Sequence, residues 1–318
     1  MSVVALALVY TFGYSGLVAT EYRSAAADLA ERFIPLPELD KADYDARMLA
    51  LAHVSGTTEV FSTASSSVRV VSTVSTSSPQ ATTPSLWPVS AAYPNADALL
   101  PFKRVVAYYG NFYSKKMGVL GEYPADEMLM MLASTTAKWE VADPSTPVVP
   151  AIHYIATVAQ ASAGKEGKYI LRMPDEQIDH ALELADRVHG IVFLDIQVAK
   201  STLEYELPML EKYLKMRQVH LGIDPEFSMK SGDRPGTVIG TFDAADINYA
   251  AEYLAKLVRE NHLPPKILVI HRFTKDMVTN YKKIRPLPEV QVVMDMDGWG
   301  SQEKKKGTYS RVIVPEPV

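Results

Sequence analysis

Carboxylates stand at the ends of two short apolar runs in the middle of the chain, within residues 188–227. Asp195 ends the run IVFL, and Asp224 and Glu226 follow the run VHLGI. Runs of this kind are typical of strands buried on both faces of a parallel sheet, and the carboxyl ends of such strands form the ligand-binding edge of α/β folds. The sequence therefore predicts that three carboxylates converge at one edge of a sheet.

Paired carboxylates in a cleft can hydrolyse a glycosidic bond. One carboxyl group with a raised pKa protonates the leaving oxygen, while a second carboxylate acts as nucleophile or activates water. Glu226 is predicted to be the general acid, because it lies just beyond a strand end among other carboxylates. The nucleophile, base or charge stabiliser is predicted to come from Asp224, Asp195 and Asp297.

Further side chains at strand ends, or in the turns after them, are predicted to bind the substrate. Tyr109, Tyr154 and Trp299 could stack on sugar faces. The complete set is Tyr109, Glu122, His153, Tyr154, His271, Arg272, Asp295 and Trp299. Structural roles are the alternative, since an aspartate can cap a helix or pair with an arginine, and a histidine can be a satisfied core residue.

Two histidines among several carboxylates also allow a metal-dependent hydrolase, with Zn²⁺, Mn²⁺ or Mg²⁺ held at the strand ends. Neither HxH nor HExxH spacing occurs, and His153 and His271 lie on separate predicted strands. We therefore predict no metal ligand and no cofactor. The serine hydrolase motif GxSxG and the nucleotide-binding motifs GxGxxG and GxxxxGK[ST] are absent as well.

The elements that must position these residues repeat in the order apolar strand, polar end, helix. Strands are predicted at 104–109, 148–158, 191–195, 219–223, 266–271, 290–295 and 310–315, with helices at 125–140, 174–190, 201–217, 243–261 and 274–283. This rhythm predicts a TIM-type (β/α) barrel over residues 102–318. Because seven strands are found and not eight, an incomplete or atypical barrel is one alternative, and a doubly wound open sheet is another.

The amino-terminal third predicts a different organisation. Residues 2–20 carry no charge and approach the ~20 residues that span a bilayer, so residues 1–20 are predicted to be a membrane anchor or signal segment. A buried helix is the alternative. Residues 21–54 are predicted to form a helical stalk, and residues 55–101 a Ser/Thr-rich linker. This layout is typical of a membrane-anchored extracytoplasmic protein, or of a secreted one.

Composition restricts the possible functions. The chain has 318 residues, is 47% hydrophobic and carries a formal net charge of -5, so it can bury a full core and lacks the basic surface that a nucleic-acid partner requires. It contains no cysteine. Disulfides, thiolate metal sites and a cysteine nucleophile are therefore excluded.

The order of the motifs carries a resemblance. The motifs are YYGNFYSKKMGVLGEYP, VVPAIHYIATVA, IVFLDIQ, VHLGIDPEF, ILVIHRF and MDMDGWG, within roughly residues 105–300. In this order they resemble an uncharacterised family of secreted or membrane-anchored bacterial (β/α)-barrel proteins. The Asp224 and Glu226 pair is similar to the acid-bearing strand of lysozyme-type glycoside hydrolase barrels. The resemblance implies a surface-anchored glycoside hydrolase acting on a glycan or cell-wall polymer, and the alternative is a non-catalytic barrel that binds a wall polymer or a protein partner.

Overall fold

Six parallel strands form the main sheet of the protein. The computed structural model describes residues 37–51, 91–296 and 300–316. In chain order the strands are β1 (Arg104–Gly110), β2 (Val148–Ala159), β3 (Ile170–Arg172), β4 (Ile191–Ile196), β5 (Val219–Ile223), β6 (Phe242–Asp243), β7 (Lys266–His271), β8 (Val278–Thr279) and β9 (Val290–Asp295). The parallel order is β1-β2-β4-β5-β7-β9; β3 runs antiparallel beside β2, and β6 pairs with β8.

The main sheet curls into a half-barrel, so the predicted α/β class is confirmed and the predicted barrel is confirmed in part. Its parallel strands follow chain order without the reversal that a doubly wound sheet requires. Within the described ranges no pairing joins β9 to β1. The inner face of β1 is therefore accessible at Ala107, which is exposed.

Part of the predicted linker packs against the half-barrel. At the amino-terminal end of the strands, the backbone N–H of Asn95 donates to the carbonyl of Pro288 at 2.8 Å. The side-chain amide of Gln291 accepts from the Leu100 N–H at 3.1 Å and donates to the Leu100 carbonyl at 2.6 Å. These bonds connect the segment that precedes β1 to β9, and they narrow the gap between the two edge strands at that end.

Three long helices cover the outer face of the sheet. The helices are α1 (Lys41–Leu51), α2 (Val119–Glu122), α3 (Ala125–Ala142), α4 (Asp175–Asp186), α5 (Leu203–Glu206), α6 (Glu211–Leu214), α7 (Ala244–Asn261) and α8 (Gln302–Thr308). The predictions of α3, α4 and α7 are confirmed. Each has an apolar stripe at helical spacing, and Met128, Leu184 and Leu254 of these stripes are fully buried in the outer core.

Three predicted elements are wrong. The helix predicted over 201–217 is divided into α5 and α6 by a 3-10 turn that contains Pro208, which lacks a backbone N–H. The segment 274–283 forms 3-10 turns and β8, because several of its carbonyl oxygens accept hydrogen bonds from Arg272. The strand predicted over 310–315 is helical, and its helical spacing places Val312 in the interior and Val314 in solvent.

Asp243 caps the amino terminus of α7, and its removal is expected to destabilise the fold. Its carboxylate accepts from the Ala245 N–H at 3.0 Å, while the Asp246 carboxylate accepts from the Asp243 N–H at 2.7 Å. We expect Asp243→Ala to lower the free energy of unfolding by about 1 kcal/mol, the usual effect of losing such a cap. Urea unfolding at pH 7 measures this, with Asp186→Ala at the exposed end of α4 as the control that keeps wild-type stability.

The effect of the cap should depend on pH. Hydrogen bonds from Asn280, from the Ala245 backbone and from Thr279 lower the pKa of Asp243 from 3.8 to about 2. A depressed pKa stabilises the folded state above the unfolded value and loses this contribution as the pH falls through the folded value. The stability difference between wild type and Asp243→Ala should therefore narrow as the pH falls below about 4. A difference that widens on acidification would contradict this assignment.

The amino-terminal predictions are covered only in part by the described residues. Helix α1 lies within the predicted stalk, and the ring of Tyr44 makes edge contacts with Phe102 at 5.1 Å and Tyr93 at 5.6 Å. Residues 1–20, the predicted anchor or signal segment, lie outside the described ranges. Among the helices that the structure describes, none combines the length and apolar character needed to cross a bilayer.

Candidate functional site

Alternation along the strands decides which side chains face the inside of the half-barrel. A small inner core is formed by Ala151, Ile191, Phe193, Ile267 and Val269. His153, Asp195 and His271 each stand two residues beyond a member of this core, on β2, β4 and β7. Because residues two apart on a strand share a face, these three polar groups form the next inward layer, at the carboxyl end of the sheet.

The polar layer is centred on the Asp195 carboxylate. His271 Nε2 lies 3.3 Å from Asp195 Oδ2, and His153 Nε2 lies 3.9 Å from the same oxygen. The Tyr109 hydroxyl donates to this oxygen at 3.0 Å, and the Ile196 N–H donates to Oδ1 at 3.1 Å. Asp195 is 0% exposed, and both histidines are buried. The structure thus brings together four of the predicted site residues.

Charge is concentrated in this layer. Burial alone would raise the pKa of Asp195, but the facing imidazoles of His271 and His153 hold it well below its usual range. Burial alone would lower the pKa of His271, but the Asp195 carboxylate, with the charges of Asp224 and Asp295, raises it to about 10. Asp295 Oδ2 lies 3.7 Å from His271 Nδ1, and its side chain is half-exposed. Asp195 and His271 therefore form a buried ion pair that Asp295 connects to solvent.

Gly222 on β5 leaves the space that the cluster fills. A Cβ atom at this position would lie 2.6 Å from His153 Nε2 and 2.6 Å from Asp195 Oδ1. Real Cβ atoms do not approach other atoms so closely, and β5 is held between β4 and β7 by backbone pairing. Gly222 was not among the predicted site residues, although a glycine inside a strand can signal a close approach of this kind.

A second polar chain holds the predicted acid pair at the end of β5. Gln197 is buried; its side-chain amide donates to Asp224 Oδ2 at 3.2 Å and accepts from the Ala159 N–H at 3.0 Å. Asp224 Oδ1 accepts from the Glu226 N–H at 3.0 Å. The Asp224 side chain is buried, and that of Glu226 is half-buried. Sequence reasoning missed Gln197, although it is a polar residue at the end of a predicted strand.

Two predicted substrate-binding residues face away from the inner layer. Tyr154 follows His153 and therefore points to the outer face, where it is fully buried and stacks on Phe112 with a centroid distance of 4.6 Å. Arg272 follows His271 and is also fully buried; it donates to the Lys275 carbonyl at 2.9 Å and pairs with Glu316. Both predictions placed two adjacent residues in the same site, whereas adjacent side chains of a strand point to opposite faces of the sheet.

The remaining predicted residues are Glu122, Asp297 and Trp299. Glu122 is the last residue of α2 and is exposed to solvent. The glycines of this turn permit the expected close approach, since a Cβ at Gly118 would lie 2.2 Å from the Tyr109 carbonyl oxygen. Asp297 and Trp299 lie outside the described residues.

The inner layer could hold a cation. His153, Asp195 and His271 each offer one donor atom, and these atoms lie within 4.8 Å of one another. No local sequence motif predicts this set, because its members come from three strands that are distant in sequence. The prediction that the chain has no metal ligand stays a prediction.

Comparison of the chain with protein-family models, with curated proteins and with solved structures gives no match. The function must therefore follow from the site itself. The resemblance to a barrel family and to glycoside hydrolases likewise stays a prediction.

Proposed function

We propose that the chain is a hydrolase whose active centre is the inward layer of His153, Asp195 and His271. The observation that carries the proposal is the fully buried Asp195 carboxylate, which contacts two buried histidines and a tyrosine hydroxyl at the carboxyl end of parallel strands. Burying charged groups costs several kcal/mol per ion, and buried charges with perturbed pKa values cluster at functional sites. The carboxyl end of the strands is also where (β/α) enzymes carry their catalytic residues.

The carboxylates have different roles in this proposal. Asp195 stays ionised and stabilises positive charge, because its lowered pKa makes it a poor proton donor. Asp224 orients the next turn through the Glu226 N–H. Glu226 is the general acid, since it keeps a half-buried side chain next to solvent at the strand end. In this assignment Glu226 alone transfers the proton and Asp195 stabilises charge. It is favoured over an acid and base pair formed by Asp195 and Asp224.

A glycan or cell-wall polymer is the proposed substrate. The half-barrel is open beside β1, where Ala107 is exposed on the inner face and Tyr109 is half-buried next to the cluster. An open half-barrel with Tyr109 beside the charged layer suits an extended polymer whose sugar rings stack on the tyrosine. We further propose that the six strands belong to a TIM-type barrel and that the protein acts outside the cytoplasm, anchored or secreted.

Replacement of Glu226 by glutamine tests the proposal. The amide keeps the size of the side chain but cannot donate the proton, so we expect hydrolysis to fall by about 10²- to 10⁴-fold with little change in unfolding temperature. Release of reducing ends from cell-wall glycan measures turnover. Glu176→Gln on the exposed face of α4 is the matched control and should keep wild-type activity.

Two outcomes would count against the proposal. Full activity in Glu226→Gln would remove Glu226 as the acid. Glycan binding by the wild-type chain without any product after long incubation would favour the non-catalytic alternative, a barrel that recognises a wall polymer.

A further inference from the structure

We infer that His153, Asp195 and His271 together bind one divalent metal ion of the class that includes zinc and manganese. The inference deepens the proposed function and rests on it for the reaction, whereas binding of the ion can be tested without any substrate. It is carried by geometry, by the space that Gly222 leaves and by one buried nitrogen.

The donor atoms are spaced as a metal site requires. In a tetrahedral zinc site with bonds of about 2.0–2.1 Å, donor atoms lie about 3.3 Å from one another. His271 Nε2 and Asp195 Oδ2 are 3.3 Å apart, and His153 Nε2 is 3.9 Å from the same oxygen. A movement of roughly 0.5 Å by the His153 ring would bring its Nε2 to a similar distance from Asp195 Oδ2, and all three donor atoms already lie within 4.8 Å of one another. The three residues lie on β2, β4 and β7, so the backbone of the sheet fixes their relative positions.

His153 Nε2 is a buried polar atom that faces Asp195 Oδ2 at 3.9 Å, beyond hydrogen-bond distance. The residue is 5% exposed, and its Nε2 makes no hydrogen bond to any group that the structure describes. A buried polar atom in this state costs about 1–3 kcal/mol. A bound cation would satisfy this nitrogen, and the absence of a side chain at Gly222 is what allows His153 Nε2 and the Asp195 carboxylate to lie this close to β5 and to each other.

Neighbouring groups are arranged as the outer shell of such a site. Metal-binding histidines usually direct one ring nitrogen to the ion and the other to a carboxylate or carbonyl. His271 has this arrangement, with Nδ1 3.7 Å from Asp295 Oδ2 and Nε2 toward Asp195, where a bound ion would take the place of the proton of the ion pair. The Tyr109 hydroxyl donates to Asp195 Oδ2 at 3.0 Å and would orient the carboxylate ligand.

The donor types select the class of ion. Two imidazoles and one carboxylate suit zinc, manganese or ferrous iron, whereas magnesium and calcium prefer sites made of oxygen donors. Three protein ligands with one open position are typical of catalytic zinc, which lowers the pKa of a bound water to about 7. An ion at this place would therefore give the proposed hydrolase its nucleophilic water, with Glu226 left to protonate the leaving oxygen.

Metal titration of the full chain tests the inference. The protein is dialysed against chelator and then titrated with zinc chloride or manganese chloride in a calorimeter, and elemental analysis after gel filtration counts the ions retained. We expect one zinc ion per chain. His153→Gln and Asp195→Asn keep the size of the side chains, and each should weaken binding by roughly 100-fold or more. Cobalt substitution should give a visible absorption spectrum in the wild type that both variants lose.

His180→Gln is the matched control, because His180 is partly exposed on α4, contacts Glu183 and Phe112, and takes no part in the inner layer. It should bind zinc as the wild type does. Circular dichroism of the metal-free variants establishes that each is folded. Equal zinc affinity in wild type and His153→Gln, or no zinc uptake by the folded wild type, would overturn the inference.

The two proposals can fail separately. Zinc binding that depends on His153 and Asp195, without hydrolysis of any glycan, would support the metal site and contradict the proposed function. Undiminished hydrolysis by a chain that takes up no zinc or manganese would overturn the metal site and leave the proposed function standing.

Discussion

Gly222→Ala is expected to abolish zinc binding and to destabilise the protein. The added Cβ would lie 2.6 Å from both His153 Nε2 and Asp195 Oδ1, so the His153 ring and the Asp195 carboxylate cannot keep their positions. Strand β5 cannot retreat, because it is paired with β4 on one side and β7 on the other. Overpacking of this kind usually lowers the free energy of unfolding by about 1–3 kcal/mol. Urea unfolding and zinc calorimetry on the same preparation measure the two effects.

Gly307→Ala provides the control for this substitution. Gly307 lies in α8, and a Cβ there would meet only the flexible side chain of Arg311, at 3.4 Å. Since alanine is the better helix former, this variant should match or slightly exceed wild-type stability and bind zinc normally. If Gly222→Ala binds zinc with wild-type affinity, the ion does not lie between His153 and Asp195.

Asp195→Ala is expected to cause the largest loss of stability in the metal-free chain. The variant removes the carboxylate that accepts from Tyr109 and Ile196 and that faces two buried imidazoles. Removing one partner of a buried ion pair typically costs about 3–5 kcal/mol, because the remaining charge loses its compensation. The midpoint of urea unfolding at pH 7, in the presence of chelator, should fall accordingly.

Asp126→Ala is the corresponding surface control, since Asp126 pairs with Arg187 on an exposed part of α3. Surface ion pairs contribute little, so its unfolding midpoint should stay close to that of the wild type. Asp195→Asn should recover part of the lost stability, because the amide oxygen can still accept from Tyr109. An Asp195→Ala variant that unfolds at the wild-type urea concentration would contradict a buried, charged Asp195.

Local sequence pattern was sufficient to predict the sheet and the edge that carries the site. Apolar runs such as residues 219–223 have the length and β-branched character of strands buried on both faces, and the six main strands all follow from this pattern. The polar residue that ends each run then had to lie at the carboxyl edge. Asp195 and His271 lie at or next to the ends of their strands, whereas His153 lies in the middle of β2, which continues to Ala159; the structure nevertheless places the three together.

Other features depend on contacts that no local pattern contains. Whether His153 or Tyr154 faces inward depends on the pleat of β2. The same holds for His271, the last residue of β7, and Arg272, which follows it. Pro208 divides a helix that the apolar spacing predicted as continuous. The space beside Asp195 depends on Gly222. The need for a glycine at this position follows only from the pairing of β4 with β5, which places Gly222 next to Asp195.

The order of the strands has a consequence for biogenesis. Each parallel strand pairs with its neighbour along the chain, so a nascent polypeptide can add strands to the sheet in the order in which they leave the ribosome. Asp195 on β4 then enters the interior before His271 on β7 has been synthesised. The cluster of His153, Asp195 and His271 therefore cannot form on the growing chain until residue 271 has emerged. The charge of Asp195 gains its His271 partner late in cotranslational folding.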